Sequence, residues 1–541
     1  MEGELLERIR GRLEFLYGGE AAAAVLPRIE RLAAARIPRK AAGWSGKDAL
    51  LITYGDSLLG REAPLRELHG FLRRRVGGRF SFVHLLPFYP STSDDGFSVA
   101  DYREVRPDLG DWEDIEALGA DYRLVFDAVV NHVSAESRYV RGFLAGEPAY
   151  RDFCISAPRD VDASAVVRPR TLPLLHAFSN HWLWTTFSRD QVDLNFGNPE
   201  VLLEMLDVLL FYAARGASAL RLDAIPYLWK KPGTSCVHLP ETHAVVKLFR
   251  DVLDAAAPHV LLLTETNAPH RDNISYFGDG GDEAQMIYNF ALAPLIVWAL
   301  HRGDARALTE WARSIERISP RATYLNITAT HDGIGLRATE GVLSDGEREE
   351  LARLATDRGG AVSRRSDTDG SEPPYELNIS YFDAVDDPVS PAAGVKRFLV
   401  SQAIPMALMG VPGVYIHSLL GSRNDLEGVK RTGRARSINR AQVDAAALEA
   451  ELLQPGNRRR LVFEGVLGLL KTRSGCSAFH PEARQEVLSL HPGVFALRRF
   501  HVESGEEVLA LHSVSPERVR IAGEPPLEPY EVRWLKRTRV A

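Results

Sequence analysis

The chain has 541 residues, 45% of them hydrophobic and 25% charged, with a formal net charge of −7 from 65 basic and 72 acidic side chains. That length exceeds one simple core, so a large domain with smaller companions is expected, and mild acidity without a basic block argues against a nucleic-acid partner. No apolar run of 18 residues occurs, and Glu2, Glu4, Glu7, Arg8 and Arg10 interrupt the first segment, which argues against a membrane span or signal peptide.

Residues 1–47 read as a helical extension, with Leu5, Leu6, Ile9, Leu13 and Leu16 at helical spacing and Pro38, Gly43 and Gly46 marking its end. No chemistry is legible there, and a helical cap or a homo-oligomer contact is the expected role. From Ala49 a short apolar run followed by a helix-length segment recurs eight times: 49–55, 80–90, 122–130, 217–225, 259–267, 284–292, 322–332 and 410–421. Buried strands alternating with helices predict an α/β fold, a parallel (β/α)8 TIM barrel. The intervals after strands three and seven are too long for one helix and are expected to hold inserted subdomains. The predicted organisation is therefore barrel over 48–130, inserted domain B over 131–198, barrel over 199–333, a second insertion with acceptor loops over 334–388, barrel over 389–484, and a small C-terminal β domain over 485–541. Cys154, Cys236 and Cys476 are odd in number and lack metal spacing, as expected of a reducing, cytoplasmic compartment.

Polar residues fall at the predicted strand ends: Asp127, Asn131 and His132 after strand three, Arg221 and Asp223 on strand four, Glu265 after strand five, His331 and Asp332 after strand seven. Residues two apart in a strand share a face, so Arg221 is expected beside Asp223, offsetting its burial and keeping it ionised. Glu265 follows an apolar strand, and partial desolvation there raises a carboxyl towards a usable acid/base. Acids that barrel closure gathers at one face suit glycoside cleavage, in which one carboxylate attacks the anomeric carbon and a second protonates the leaving oxygen.

The segments Asp127-Ala-Val-Val-Asn131-His132, Arg221-Leu-Asp223-Ala, Glu265 and His331-Asp332 resemble, in order, those of glycoside hydrolase family 13, the α-amylase family, over roughly residues 48–480. The resemblance implies that Asp223 is the nucleophile, Glu265 the acid/base and Asp332 the transition-state stabiliser, with His132, His331 and Arg221 lining the glucosyl subsite. Asp94-Asp-Gly-Phe97, Phe187 to Gln191, Gly233-Thr-Ser-Cys236, His331-Asp-Gly-Ile-Gly335 and Ile438-Asn-Arg440 resemble the sucrose phosphorylase branch. There the matching residues would give Asp94 and Arg436 as glucose contacts, Phe97 and Phe187 as an aromatic platform, and Gln191 as a further subsite residue. The branch retains anomeric configuration through a glucosyl-enzyme ester resolved by phosphate.

The stretch Pro373-Pro-Tyr375-Glu376-Leu-Asn378 departs from sucrose phosphorylases, which carry Gln where Glu376 stands. It resembles, with Trp229-Lys230-Lys231, Arg423, Arg168-Pro-Arg170 and Thr264-Glu-Thr-Asn267, the members of the branch whose acceptor is D-glycerate, the glucosylglycerate phosphorylases. A carboxylate acceptor requires cationic donors. Arg168, Arg170, Lys230, Lys231 and Arg423 are the candidates, with Tyr375 and Glu376 beside them; Glu376 near an anion requires a cationic partner or an outward rotamer. Inorganic phosphate is expected as a co-substrate with no cofactor. Asn131 matches a calcium-binding position of some amylases, but no companion carboxylates are visible, so no metal is expected. A sucrose or sucrose 6′-phosphate phosphorylase, a related glucosidase or transglucosidase, and a non-catalytic carbohydrate-binding member are the alternatives.

Overall fold

The computed structural model describes residues 3–38, 43–169, 173–365 and 371–538. Eight parallel strands close into a barrel: β1 (Leu50–Thr53), β2 (Phe82–Leu85), β3 (Arg123–Ala128), β4 (Ala217–Leu222), β5 (Leu261–Thr264), β6 (Met286–Tyr288), β7 (Thr323–Ile327) and β8 (Val411–Tyr415), with β8 returning to pair with β1. Each of the eight apolar runs supplies one strand, because barrel strands are buried on both sides and read as continuous hydrophobic stretches. Every residue of β4 is buried, Ser218 and Arg221 included.

Helices cover the outside. The helix Pro199–Ala214 begins where Asn198 caps the Glu200 N–H and Pro199 presets the first turn, and ten of its side chains are buried. The N-terminal helices α1 (Gly3–Tyr17) and α2 (Gly19–Ala33) bury Ile9, Leu13, Val25 and Ile29 against the chain itself. Arg8 and Arg12 reach Asp251 on the helix Pro240–Ala256, Arg28 pairs with Glu200, and the Tyr17 hydroxyl donates to the Phe196 carbonyl at 3.0 Å. The apolar stripe of this extension packs on the barrel's own helices.

Two insertions rise from the C-terminal ends of the strands. The one after β3 pairs His132–Ser134 with Gln191–Asp193 and carries the hairpin Leu175–Phe178/His181–Trp184. The one after β7 is a three-stranded sheet in which Pro374–Asn378 lies between Ile334–Gly335 and Ala361–Arg364. Gly333 is obligatory at its root, because a Cβ there would stand 2.4 Å from the Leu377 carbonyl oxygen. Four antiparallel strands, β9 (Arg484–His491), β10 (Val494–Phe500), β11 (Glu506–Ser513) and β12 (Val532–Thr538), form the C-terminal sheet. No helix among the described residues is long and apolar enough to cross a membrane.

Two buried arginines fasten that sheet to the barrel seam. Arg473 donates to the carbonyls of Gly46 (2.8 Å), Asp48 (2.9 Å), Met406 (3.1 Å) and Phe479 (3.1 Å), and Arg499 to those of Ala407 and His480, both at 2.8 Å. Burial pulls Arg473 down to about 10 and Arg499 to about 9, so both stay charged at neutral pH. Arg473→Ala strands several buried carbonyls, each costing about 1–3 kcal/mol. It is expected to lower stability by about 3 kcal/mol or more, as a shifted midpoint in urea unfolding, and an unchanged midpoint would dissolve this account of the seam.

Candidate active site

At the floor of the barrel mouth, Arg221 of β4 stands between two carboxylates. Its register partner on β3 is Asp127, to which it is paired, and the same Nη1 donates to Asp223 Oδ1 at 2.9 Å. The Asp127 carboxylate also contacts His84 Nε2 of β2 at 2.7 Å. The predicted Arg221–Asp223 pair is therefore one half of a triad. Arg221 does not line the inner pocket itself but a separate small cavity with His84, Tyr288 and Asp332. The next residue, Ala224, has φ 50°, a left-handed conformation that a non-glycine residue adopts at a cost, and its N–H donates to Glu265 Oε2 at 3.2 Å. That strained turn aims a backbone donor at the second acid.

An inner pocket brings Asp223, Glu265 and Asp332 together with Asp94, Phe97, His132, Phe187, Gln191, His331, Tyr375 and Arg436. Asp94 and Asp95 take successive left-handed conformations (φ 52° and 50°) before Gly96, whose Cβ position lies 2.6 Å from the Pro87 carbonyl oxygen. This tight turn carries Asp94 to Gln191 Nε2 at 3.2 Å and sets Phe97 against His331, stacked at 4.7 Å between ring centroids. The His132 Nε2 lies 3.0 Å from the Phe97 carbonyl. Burial lowers His132 to about 4 and His331 to about 3, so both rings are neutral hydrogen-bonding groups at neutral pH.

The three acids titrate differently. Burial pushes Asp223 well up, Arg221 opposes it, and the neighbouring Glu265, Asp127 and Asp332 push the same way as burial. Glu265 is also raised, by burial first, against Arg221. The expectation that Arg221 alone keeps Asp223 ionised is corrected here: its charge is shared with Asp127, so Asp223 and Glu265 behave as a pair that retains a proton. Burial would raise Asp332 as well, but Arg436, His331 and Arg440 outweigh it and hold that carboxyl far below the usual range. Arg436 Nη1 lies 2.6 Å from Asp332 Oδ1, while its Nε and Nη2 grip both oxygens of Glu376 at 3.0 and 2.6 Å. Glu376 is thus neutralised and buried, and this pairing removes the repulsion that its sequence position implied.

The basic candidates do not converge on the pocket. Lys230 is buried between Asp193, the Tyr227 carbonyl and Asn131 Oδ1 (2.8 Å), so its ammonium fills the space that Asn131 would offer a cation. Lys231 is exposed and pairs with Glu241 at 3.2 Å. Arg423 bonds Asp383 at 2.9 Å and Asp386 at 2.6 Å, away from the pocket lining. Arg168 is exposed beside Pro169, which does line the pocket; Arg170 lies outside the described residues. The arginines that line the cavities are others. Arg364, Arg434 and Arg440 join Arg436 around an outer chamber of about 490 Å³. Arg337 lines a recess next to Glu265 with His238, Asn267 and Tyr375. Of these, Arg364, Arg434, Arg337 and His238 were not singled out from sequence, although Arg337 stands two residues past Gly335.

This constellation of three acids at the mouth of a (β/α)8 barrel defines a glycoside-cleaving class of enzyme, and the comparisons agree. A family model described as alpha amylase, catalytic domain, matches residues 79–332. A glucosylglycerate phosphorylase of Spirochaeta thermophila is 47% identical over 513 residues, covering 92% of this chain and 87% of the relative. Another glucosylglycerate phosphorylase, of Allomeiothermus silvanus, is 49% identical over 494 residues, covering 90% and 89%. Among solved structures, sucrose 6F-phosphate phosphorylase from Thermoanaerobacter thermosaccharolyticum superposes with a TM-score of 0.76 at 25% identity, covering 88% of this chain and 95% of that one. The chain belongs to the α-amylase family, glycoside hydrolase family 13. Within it, it sits with the glucosyl phosphorylases.

Because Asp223 holds a proton more tightly in the folded chain than in the unfolded one, its contribution to stability falls as pH rises from the unfolded carboxyl range through the folded value. Asp223→Asn removes that cost. The variant is expected to melt higher than the parent, with the gain larger at pH 8 than at pH 5, in parallel thermal melts. A lower melting temperature at both pH values would mean that the Arg221 contact outweighs burial.

Proposed function

We propose that the chain is a retaining phosphorylase that transfers a glucosyl unit between inorganic phosphate and D-glycerate, cleaving 2-O-α-D-glucosylglycerate to α-D-glucose 1-phosphate and glycerate. The similarity to two glucosylglycerate phosphorylases across about nine-tenths of the chain carries this reading. The site supports it in outline: the inner pocket gathers the three acids around Phe97, stacked on His331, a mixed polar and aromatic lining that suits a sugar ring.

In this mechanism Asp223 attacks the anomeric carbon and the glycosidic bond breaks as Glu265 passes its proton to the departing glycerate oxygen. Formation of the ester removes the charge of Asp223. Glu265 then no longer shares a proton with an ionised neighbour, so its pKa drops and it becomes the base for the second step. A phosphate oxygen attacks from the vacated side, the ester breaks, and α-glucose 1-phosphate leaves with its configuration retained. Asp332, kept ionised by Arg436, offsets the positive charge that develops on the ring. Asp94, His132, Gln191 and Arg436 hold hydroxyls, while Phe97 and Phe187 supply the apolar wall. A fructose acceptor is less well served, because sucrose phosphorylases place Gln at the position where Glu376 is bound to Arg436. No cofactor is required, phosphate being a co-substrate that must outcompete water at the ester. The three cysteines are free and buried, which fits a reducing cytoplasm, and the partners are small molecules rather than nucleic acid or membrane.

The experiment is phosphate release from α-glucose 1-phosphate with D-glycerate, fructose and fructose 6-phosphate side by side. Glycerate-dependent release, abolished in Glu265→Gln by several orders of magnitude, is the expected result. Release with a fructose acceptor alone would move the chain to sucrose phosphorolysis, and near-full activity of Glu265→Gln would remove its assignment as acid/base.

A further inference from the structure

Beside Glu265 the inner pocket opens into a recess of about 50 Å³, small against the outer chamber of about 490 Å³. Four of the residues that line it carry a buried polar atom without a hydrogen-bond partner: Thr266 Oγ1, Asn267 Oδ1, His238 Nε2 and Arg337 Nε. Buried polar atoms are nearly always satisfied, so a cluster of orphans around one recess marks a place for a polar ligand. The four come from three separate segments, the loop after β4, the end of β5 and the insertion after β7. Their convergence is a product of the fold.

The chemistry of the lining is specific. Arg337 supplies its fixed charge, beside the proton-holding Glu265, because burial lowers His238 to about 4 and leaves it neutral. The His238 ring is fixed by Tyr276, whose hydroxyl is 3.0 Å from Nδ1, and its backbone is held at φ 55°, with Cys236 at φ 54° two residues before it. Two left-handed non-glycine residues in one short loop are a strain that the surrounding structure sustains, and here they turn Nε2 to the recess. Among the described residues no carboxylate pairs with Arg337; the Tyr227 hydroxyl lies against it. The other cavity arginines are committed. Arg364 forks onto Glu349 at 2.8 and 3.0 Å, Arg436 onto Glu376 and Asp332, and Arg440 is bound to Asp95.

We propose that Arg337 is the carboxylate-binding, specificity-determining residue of the acceptor subsite, with Asn267 and His238 taking the hydroxyls of a small hydroxy acid. This rests on the preceding reading of glycerate as acceptor. In the synthetic direction the acceptor's 2-hydroxyl oxygen bonds to the anomeric carbon, Glu265 takes its proton, and the bond to Asp223 breaks; the carboxylate on Arg337 is unchanged throughout. A guanidinium offers paired N–H donors in the plane a carboxylate needs, and the vacant Nε is one of them.

The test compares kcat/KM for D-glycerate and for glycerol, its uncharged counterpart, with α-glucose 1-phosphate as donor, in the parent, Arg337→Gln, Arg337→Lys and His238→Ala. The glycerate-to-glycerol ratio is expected to fall by about 100-fold or more in Arg337→Gln and by less in Arg337→Lys, which keeps the charge but loses the fork. An unchanged ratio, or an equal loss for both acceptors, overturns the proposal and makes Arg337 a structural residue. Should Arg337→Gln fail to fold, Arg337→Lys decides, with a lowered ratio at an unaltered melting temperature supporting the proposal and an unaltered ratio sinking it. A parent enzyme that ignores glycerate fails earlier, at the acceptor reading itself, and takes this assignment with it.

Discussion

One buried guanidinium governs the site. Arg221 faces Asp127 and Asp223 from a strand on which every side chain is out of solvent, and a single positive charge there answers two negative ones. Burying ions costs several kcal/mol each unless they are paired and hydrogen-bonded, so the deficit must be met by other groups. Part of it is met by His84 on Asp127 and part by the proton that Asp223 and Glu265 retain. In the proposed mechanism that retained proton is the one passed to the departing oxygen. The barrel makes this possible because parallel register sets Asp127 directly across from Arg221 while the i, i+2 relation sets Asp223 beside it.

A second cationic centre, Arg436, governs the other half of the pocket. It spans from Asp332 on the barrel to Glu376 on the insertion after β7, so the Asp332 carboxyl is held ionised by a residue whose opposite edge is anchored in that insertion. The two centres divide the labour between the acids. Asp223 and Glu265 face a shared, insufficient positive charge and keep a proton; Asp332 faces a surplus from Arg436 and Arg440 and does not.

The barrel and its acids were legible in the chain because each rests on a local signal. Buried parallel strands are short continuous apolar runs, and acids at their C-terminal ends stand out as the first polar residues after each run. Which basic residues face the pocket was not legible, because a basic residue is defined by what neutralises it, and that is set by contacts far away in sequence. Arg423 reads as a free cation until Asp383 and Asp386 are seen against it, and Lys230 until Asp193 and Asn131 enclose it. Arg337 is inconspicuous in the chain and becomes notable only where the loop after β4 and the end of β5 fold up to it. Glu376, an apparent misfit beside an anion, turned out to be the counterpart of Arg436. The helical extension was legible as helices, but its apolar face gave no sign that Asp251 and Glu200 awaited its arginines.

The bond between Arg436 and Glu376 also constrains how the insertion after β7 can be exchanged over evolutionary time. The insertion after β7 carries Arg337, Tyr375 and Glu376 on one contiguous stretch of chain, which makes it a ready unit of exchange between homologous genes. Arg436, however, is encoded beyond β8. A recombination event that imports a new insertion therefore leaves Asp332's guanidinium with whatever residue arrives at position 376. An incoming neutral side chain there would cede the whole of Arg436 to Asp332, altering the charge balance of the pocket in the same event that exchanges the insertion. The residue at position 376 and the electrostatics of Asp332 are in this way tied through a single two-residue junction.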